Sequence, residues 1–273
     1  MVREMNGGVG DVGGEDWTEE ESVNGGNDVW SSSRPADHLV VMVHGILGST
    51  ADWKFAAQQF VAMLPDKVIV HCSESNMYKL TLDGVDIMGE RLAEEIIEVV
   101  NKRLYLRKIS FIAHSVGGLV ARYAIGRLYR PLVMKSLENP LCDACDDSHR
   151  GTIYGLEAVN FITVATPHLG SRGNKQWEDS LSEKYPHVVY EEYSAGSRND
   201  KCTDDSLING DCDLLEEKLV TGLARLSWEK VDVSFHNSSI HRFAAHSVIQ
   251  VKDPFMHIEG ADVIQHMIDH FLT

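Results

Sequence analysis

The sequence predicts an α/β fold with a mostly parallel sheet and helices on both of its faces. Short, almost continuously apolar runs recur along the chain, as is typical of strands buried on both sides of a parallel sheet. Amphipathic stretches with a period of three to four residues lie between these runs and predict helices. The length of 273 residues suits one large domain, because α/β folds commonly exceed 200 residues.

The predicted elements begin at residue 38. Residues 38–44 (HLVVMVH) predict the first strand, and a Gly-rich turn follows at 45–48 (GILG). The next stretch predicts a helix, because its apolar residues share one face: Trp53, Ala56, Phe60 and Leu64. Residues 68–72 (VIVHC) predict the second strand.

Two more strands alternate with helices further along. Asp83 is expected to cap a helix whose apolar residues recur every three or four positions: Val85, Met88, Leu92, Ile96 and Val99. Residues 109–115 predict a third strand, and an apolar helix from Gly117 to about Leu128 follows it. Residues 159–167 predict a fourth strand. The alternation predicts a parallel sheet with right-handed crossovers.

The remaining segments predict a tail, an irregular region and a terminal helix. Residues 1–37, rich in Gly, Asp and Glu, predict a disordered acidic tail, so the folded domain is expected over 38–273. Residues 171–230 are mostly polar and predict an irregular region. Apolar runs at 231–235 and 247–251 predict late strands, and 261–272 predicts a final helix.

Charge and hydropathy exclude several classes of partner. The formal net charge of −16 repels phosphate backbones, so nucleic acid is not expected as a partner. No apolar run reaches the roughly 18–20 residues of a membrane span, and the N-terminal residues resemble neither a signal nor a transit peptide. The expected location is cytoplasmic, and contact with a membrane or lipid droplet would be peripheral and apolar.

The five cysteines do not predict a metal site. An odd number without a secretory signal indicates reduced thiols. Cys142 and Cys145 have the spacing of a zinc-binding pair, and His149 follows them. However, structural zinc sites usually contain a second tight pair, and Cys202 and Cys212 are too far apart to supply it.

The segment around Ser115 carries the chemistry. Ala113-His114-Ser115-Val116-Gly117 matches the nucleophile elbow G-x-S-x-G, with Ala113 in place of the first glycine. An apolar strand precedes it and an apolar helix follows, which is the context that this motif requires. The turn is tight, so the residues two before and two after the serine must be small. Ser115 is therefore the predicted nucleophile.

The turn after the first strand predicts an oxyanion hole. In lipases and esterases a turn at this place brings a backbone N–H to the substrate oxyanion. The predicted donors are the N–H groups of Ile46 and Val116, and His44 is expected to be structural. This turn is not a G-x-G-x-x-G, and no Lys-Ser/Thr pair follows it, so a nucleotide site is not expected there.

A histidine late in the chain is expected to act as the base, since the order in such hydrolases is Ser, acid, His. His246 lies between a predicted late strand and the final helix, which is the expected place. His241 and His257 are alternatives. His266 and His270 are expected on the surface of a helix.

These motifs resemble those of the lipase-like serine esterases of the α/β-hydrolase superfamily, and most of all their plant-type members. The similar stretches are LVVMVHGILGS, ISFIAHSVGGLVARYAIGRLY, NFITVATPHLGS and RFAAHSVIQVK. The resemblance implies an α/β-hydrolase fold and hydrolysis of acyl esters of lipids, without a metal or organic cofactor. It also supports His246, because the family carries an Ala-His pair followed by an apolar strand there.

The resemblance breaks down after residues 173–176. Similar proteins usually carry a further segment there, with a strand that ends in the acid of the triad. This chain is therefore expected to lack an internal segment, and with it a strand of the sheet and the acid. Glu191 or Glu192 could substitute, and Asp232 is a poorer candidate because it lies inside a predicted strand. Two hypotheses stay open: an active serine esterase or lipase, and a catalytically impaired relative that binds lipid or a partner.

Overall fold

The computed structural model describes residues 29–30, 36–131, 151–169, 184–194, 220–235 and 245–273. The strands are β1 (Val29–Trp30), β2 (His38–Val43), β3 (Val68–Cys72), β4 (Lys108–His114), β5 (Tyr129–Arg130), β6 (Thr152–Ile153), β7 (Leu156–Val164), β8 (Val188–Ser194) and β9 (Trp228–Val233). The α-helices are α1 (Lys54–Met63), α2 (Val85–Asn101), α3 (Gly117–Leu128), α4 (Ala245–Val248) and α5 (Ala261–Asp269).

Seven strands form the main sheet in the order β1-β3-β2-β4-β7-β6-β5. The four central strands, β3, β2, β4 and β7, run parallel, while β1, β6 and β5 pair antiparallel at the two edges. Helices α1, α2 and α3 connect or follow the parallel strands. The mostly parallel sheet, with a serine at the turn from β4 to α3, is the α/β-hydrolase fold and confirms the fold predicted from the sequence.

The core lies on both faces of this sheet. On one face the odd-numbered residues of β2 pack with the apolar stripe of α2 and with α3. On the other face the even-numbered residues of β2 pack with α1 and α5. Alternate residues of a strand point to opposite faces, so a strand between two helix layers is apolar throughout. All six residues of β2 are accordingly buried. No helix in the described ranges is both long and apolar enough to cross a membrane.

Two local predictions are wrong. The strand predicted at 247–251 is replaced by α4 and a turn, because Val248 and Val251 are both buried in the same core and their spacing of three fits a helical period. Asp83 does not cap α2. Gly84 occupies the N-cap, and Asp83 instead forms an ion pair of 2.7 Å with Arg91.

The described part of the predicted tail carries structure. Val29–Trp30 pair with His71 and Val70 of β3, and Ala36 is buried. The backbone carbonyl of Asp37 accepts hydrogen bonds from the N–H groups of residues 107 and 108. The rest of the predicted tail, at 1–28 and 31–35, lies outside the described residues.

The described part of region 171–230 contains a separate antiparallel pair, β8 with β9. Neither strand joins the main sheet. Residues 220–224 are helical. Two groups of residues considered in the sequence lie outside the described ranges. They are the alternative base His241 and the cysteines whose spacing was compared with that of zinc sites, at 142, 145, 202 and 212.

Candidate active site

Ser115 occupies a strained turn between β4 and α3. Its φ is +55°, a left-handed conformation that residues other than glycine seldom adopt. The turn is held because the Ser115 N–H donates a hydrogen bond of 2.9 Å to the carbonyl of Val164, at the end of β7. The side chain is half-buried. This is the backbone geometry that an elbow needs to present a hydroxyl at the edge of the sheet.

Two glycines allow the neighbouring loop to approach this turn. A methyl group built on Gly117 would lie 2.8 Å from the carbonyl oxygen of Val43 and would overlap the carbonyl oxygen of His44. A methyl group on Gly45 would lie 2.9 Å from the Ser115 Cβ. Ala113 is completely buried. The small residues around Ser115 are therefore required by direct backbone contact between the two turns.

The two predicted oxyanion donors remain unused. In the turn after β2, the Leu47 N–H donates to Thr81 Oγ1 at 2.7 Å and the Gly48 N–H donates to the Gly45 carbonyl at 3.1 Å. Within the described ranges, no acceptor contacts the N–H of Ile46 or of Val116. Val116 is the N-cap of α3, so its N–H is among those that a helix cannot satisfy internally.

His246 lies in α4, beside the residue that precedes the nucleophile. The His114 Nε2–H donates a hydrogen bond of 2.8 Å to the His246 carbonyl, and the two ring centroids are 4.3 Å apart. Among the described contacts, neither Ser115 Oγ nor the His246 imidazole forms a hydrogen bond. In free enzymes such contacts often tighten only when substrate binds.

The histidines around the site are held in their neutral form. Burial lowers the pKa of His246 below its usual 6.5. Burial, and then the positive charge that His246 would carry, lower the pKa of His114 to about 3. Burial also lowers the pKa of His44, whose Nδ1–H donates to the Gly45 carbonyl at 3.1 Å. A neutral imidazole at residue 246 is the form that a general base needs.

The carboxylates proposed as the triad acid have other partners. Glu191 accepts a hydrogen bond of 2.6 Å from His266 Nε2, and Glu192 forms an ion pair of 3.8 Å with Lys230. Asp232 pairs with residue 190 in the ladder between β8 and β9. No carboxylate in the described ranges hydrogen-bonds the His246 imidazole.

The alternative histidines have different environments. His257 accepts a hydrogen bond from the Asp253 N–H at its Nδ1, within a local turn. The prediction that His266 lies on the surface is wrong, since its exposed fraction is 4%. The side chain lies between α5 and β8, where it contacts Glu191. His270 is exposed at the end of α5.

Two contributors to the site are not evident from the sequence. His114 fixes the position of α4, and Thr81 holds the turn that carries Ile46. His114 adjoins the serine, which gives a weak signal. Thr81 lies 34 residues from Leu47, and no sequence pattern marks their contact.

Part of the chain matches a family model and two fungal proteins. Residues 33–192, more than half of the chain, match the family model described as "Putative serine esterase (DUF676)". A protein named "Putative lipase ROG1" from Saccharomyces cerevisiae is 32% identical over 140 residues, which are 49% of this chain and 17% of that protein. "Putative lipase C4A8.10" from Schizosaccharomyces pombe is 29% identical over 144 residues, or 50% and 16%. The chain thus covers less than a fifth of these relatives.

Solved structures resemble the chain in part. A lipase of Bacillus licheniformis, BlEst2, has a TM-score of 0.33 and 20% identity over 50% of this chain and 44% of its own. Lipase B of Aspergillus fumigatus has a TM-score of 0.35 and 12% identity over 54% and 30%. At these scores the fold assignment rests on the strand order and the strained serine turn. The extent of the family match decides the identity: this chain belongs to the serine esterase family DUF676.

Proposed function

We propose that this protein hydrolyses carboxylic esters of acyl lipids through an acyl-enzyme on Ser115. The observation that carries the proposal is the strained turn at Ser115, together with the N–H groups of Ile46 and Val116, which have no acceptor among the described residues. Strain of this kind costs on the order of 1–3 kcal/mol and persists where function requires it. A structural serine at a strand-to-helix turn would not need it.

The reaction follows from the roles of four groups. Ser115 Oγ attacks the ester carbonyl carbon while His246 takes the hydroxyl proton, and the carbonyl oxygen becomes an oxyanion held by the N–H groups of Ile46 and Val116. When the tetrahedral intermediate collapses, the ester C–O bond breaks and His246 gives its proton to the leaving alcohol. Water, deprotonated by His246, then attacks the acyl-enzyme and releases the fatty acid and free Ser115.

An apolar rim beside the oxyanion turn supports an acyl-lipid substrate. The Tyr78 N–H donates to the Gly48 carbonyl at 2.8 Å, so the turn Tyr78–Leu82 adjoins the turn that carries Ile46. The large apolar side chains of both turns are exposed: Ile46, Leu47, Tyr78, Leu80 and Leu82. Exposed apolar clusters of this kind mark binding surfaces. The lipase names of the fungal relatives agree with an acyl-lipid substrate.

A second candidate is a catalytically impaired relative that binds lipid or a partner in the same place. It is favoured by the absence of a carboxylate hydrogen-bonded to the His246 imidazole among the described residues. Loss of the orienting acid costs roughly 10⁴ in kcat in the serine proteases. Such a protein would keep a reactive serine but turn over esters very slowly.

A fluorophosphonate probe on the purified full chain tests whether Ser115 is a reactive nucleophile. We expect wild type to be labelled at Ser115, Ser115→Ala to be unlabelled, and Ser49→Ala to be labelled like wild type. Ser49 is the matched control because its side chain caps no helix. Equal labelling of wild type and Ser115→Ala, or no labelling of a folded wild type, would refute the proposal.

Turnover measurements separate the active from the impaired form. We expect hydrolysis of p-nitrophenyl esters that rises with acyl length and is lost in Ser115→Ala and His246→Ala. Labelling without turnover, in protein with a cooperative thermal transition, would support the impaired relative instead.

A further inference from the structure

Three side chains of the described region converge away from the candidate active site, where α5 meets β8. They are Glu191, His266 and His270, and one ligand atom from each lies within 4.8 Å of the other two. We propose that these residues form a binding site for a divalent transition-metal ion, with Zn²⁺ the best fit. The site would join the β8–β9 pair to the main domain.

The helix supplies two imidazoles on one face. His266 and His270 are four residues apart, and the His270 N–H donates to the His266 carbonyl at 3.1 Å, so the helical turn continues to residue 270. Residues at this spacing lie one above the other. The two rings are stacked with centroids 4.0 Å apart. Histidines at this spacing on one helix are frequent zinc ligands, and here the rings have to rotate out of the stack so that both lone pairs point at the ion.

The third ligand comes from the other side of the interface. Glu191 Oε1 accepts a hydrogen bond of 2.6 Å from His266 Nε2, and the His266 side chain is only 5% exposed. Zinc bonds of about 2.0–2.2 Å place tetrahedral ligand atoms roughly 3.3 Å apart. The pair therefore has to open slightly, and the Nε2 proton of a neutral His266 moves to Nδ1, so that the Nε2 lone pair can bind the ion. Acid protonates the imidazoles and the carboxylate that the ion needs, so affinity falls as the pH is lowered.

A second carboxylate orients His270. Glu229, on β9, accepts a hydrogen bond of 2.6 Å from the His270 Nδ1. A carboxylate can only accept, so Nδ1 carries the proton and the lone pair of Nε2 is free to bind a metal ion. This carboxylate–histidine arrangement recurs around protein zinc sites, where it fixes the ring and raises its basicity.

The exposure and charge of the cluster suit a metal ion that keeps one coordination position open to water. Glu191 and His270 are about two-fifths exposed, so water can complete the coordination. Two carboxylates, Glu191 and Glu229, face the imidazoles. The nearby Lys184 is neutralised by an ion pair of 2.7 Å with Asp269. The combination of two histidines, one carboxylate and a water molecule matches zinc sites with three protein ligands.

The metal would strengthen an interface that already combines polar pairs with apolar packing, since Val233 and Phe235 pack in the same core cluster as α5. His187 donates to Asp262 of α5, and Tyr185 and Lys184 contact Asp269. A metal bridge between Glu191 and α5 would couple the β8–β9 pair to the folded core. Metal that binds only the folded state adds its binding free energy to stability.

The test measures metal binding by the purified full chain after removal of metal with EDTA. Titration with Zn²⁺ should give one site per chain, and Co²⁺ should give the visible absorption bands of tetrahedral coordination. Zn²⁺ at a hundredfold excess over its dissociation constant should raise the melting temperature by roughly 5 °C or more. The double variant His266→Gln/His270→Gln and the variant Glu191→Gln should lose these signals, and Glu229→Gln should weaken affinity about 10–100-fold.

Two controls keep the outcome decisive. His187→Gln removes a histidine that also pairs with a carboxylate on α5, but outside the cluster, and should bind like wild type. Cys142→Ala/Cys145→Ala should also bind like wild type. Absence of zinc binding by wild type, or binding that survives loss of both histidines, overturns the proposal. Ser115→Ala should leave zinc binding unchanged, because the site is independent of the proposed esterase.

Discussion

Strained residues gather where the parallel strands end. Leu47, Ser115 and Ala165 follow β2, β4 and β7 respectively, and all three have φ between +50° and +55°. Each such residue costs on the order of 1–3 kcal/mol, so surrounding contacts must hold it. The Val164 carbonyl holds Ser115, and Thr81 holds Leu47. Three of the seven non-glycine residues with positive φ in the described ranges thus lie at the carboxyl edge of the sheet, where the active site is proposed.

Two glycines of α3 give a matched test of this organisation. Gly117→Ala forces a methyl group onto the carbonyl oxygens of Val43 and His44, so we expect a loss of about 1–3 kcal/mol in unfolding free energy. Labelling of Ser115 by a fluorophosphonate should slow at least tenfold. Gly126→Ala meets no atom within 4 Å and should stabilise the helix by about 1 kcal/mol. Urea denaturation and labelling rates measure both effects, and equal behaviour of the two variants would contradict the close contact.

At the scale of elements, one buried carboxylate joins α2 to the end of β3. Glu95 accepts hydrogen bonds from His71 Nε2 at 2.8 Å, from Ser73 Oγ at 2.7 Å and from the Glu74 N–H at 2.9 Å. Burial acts to raise the pKa of Glu95, but the hydrogen bonds and the charge of His71 outweigh it and lower the pKa to about 2. The ionised form is thus built into the fold, and it fixes the loop that leads to the apolar rim.

We expect Glu95→Gln to lower the unfolding free energy by about 1–3 kcal/mol, because the amide N–H₂ would face donors without an acceptor. The matched control is Glu98→Gln on the exposed side of the same helix, which should change stability by less than about 0.5 kcal/mol. Chemical denaturation at pH 7 measures both. In wild type the stabilisation by Glu95 is complete above pH 4.5 and is lost as the pH falls towards 2. Equal stability of the two variants would show that the Glu95 contacts contribute little.

At the scale of the whole molecule, buried neutral histidines tie stability to pH. His38 lies in β2, stacks on Phe271 and shares a hydrogen bond of 2.7 Å with Ser110 Oγ. Burial, and then the charge of Lys108, lower the pKa of His38 to about 4. The unfolded chain takes up a proton near pH 6.5, but the folded chain does so only near pH 4. The folded state therefore loses relative stability as the pH falls through this window.

The expected effect is a steep pH dependence of stability on the acidic side of neutrality. His38 should lower the unfolding free energy by about 1.4 kcal/mol per pH unit between 6.5 and 4. His114 adds to the slope, because its pKa is lowered to about 3. In His38→Gln the slope between pH 6.5 and 4 should become shallower by the contribution of one proton. Denaturant midpoints measured at half-unit intervals test this, and an unchanged slope would exclude His38 as a source.

Much of the fold follows from local patterns in the sequence. The strand at 68–72 and the helix from 117 to 128 lie where predicted, because alternating burial and helical periodicity are properties of neighbouring residues. The turn at Ser115 was also predictable, since small residues on each side and an apolar strand before it are visible in the chain. The roles of Ser115, His246, Ile46 and Val116 in catalysis stay predictions.

Only the tertiary structure decided the contacts between distant segments. The run at 247–251 looks like a strand, but two of its valines are buried in the same core and the segment becomes helical. His266 looks like a surface residue of a helix until β8 covers it. The hydrogen bond from His266 to Glu191, the hydrogen bond from the Leu47 N–H to Thr81 Oγ1 and the convergence of three ligand residues at α5 each join residues far apart in the chain. Such contacts depend on packing, which local periodicity does not encode. Local patterns therefore determined most of the elements, while the helix at 245–248 and the partners of distant residues were decided only by the folded chain.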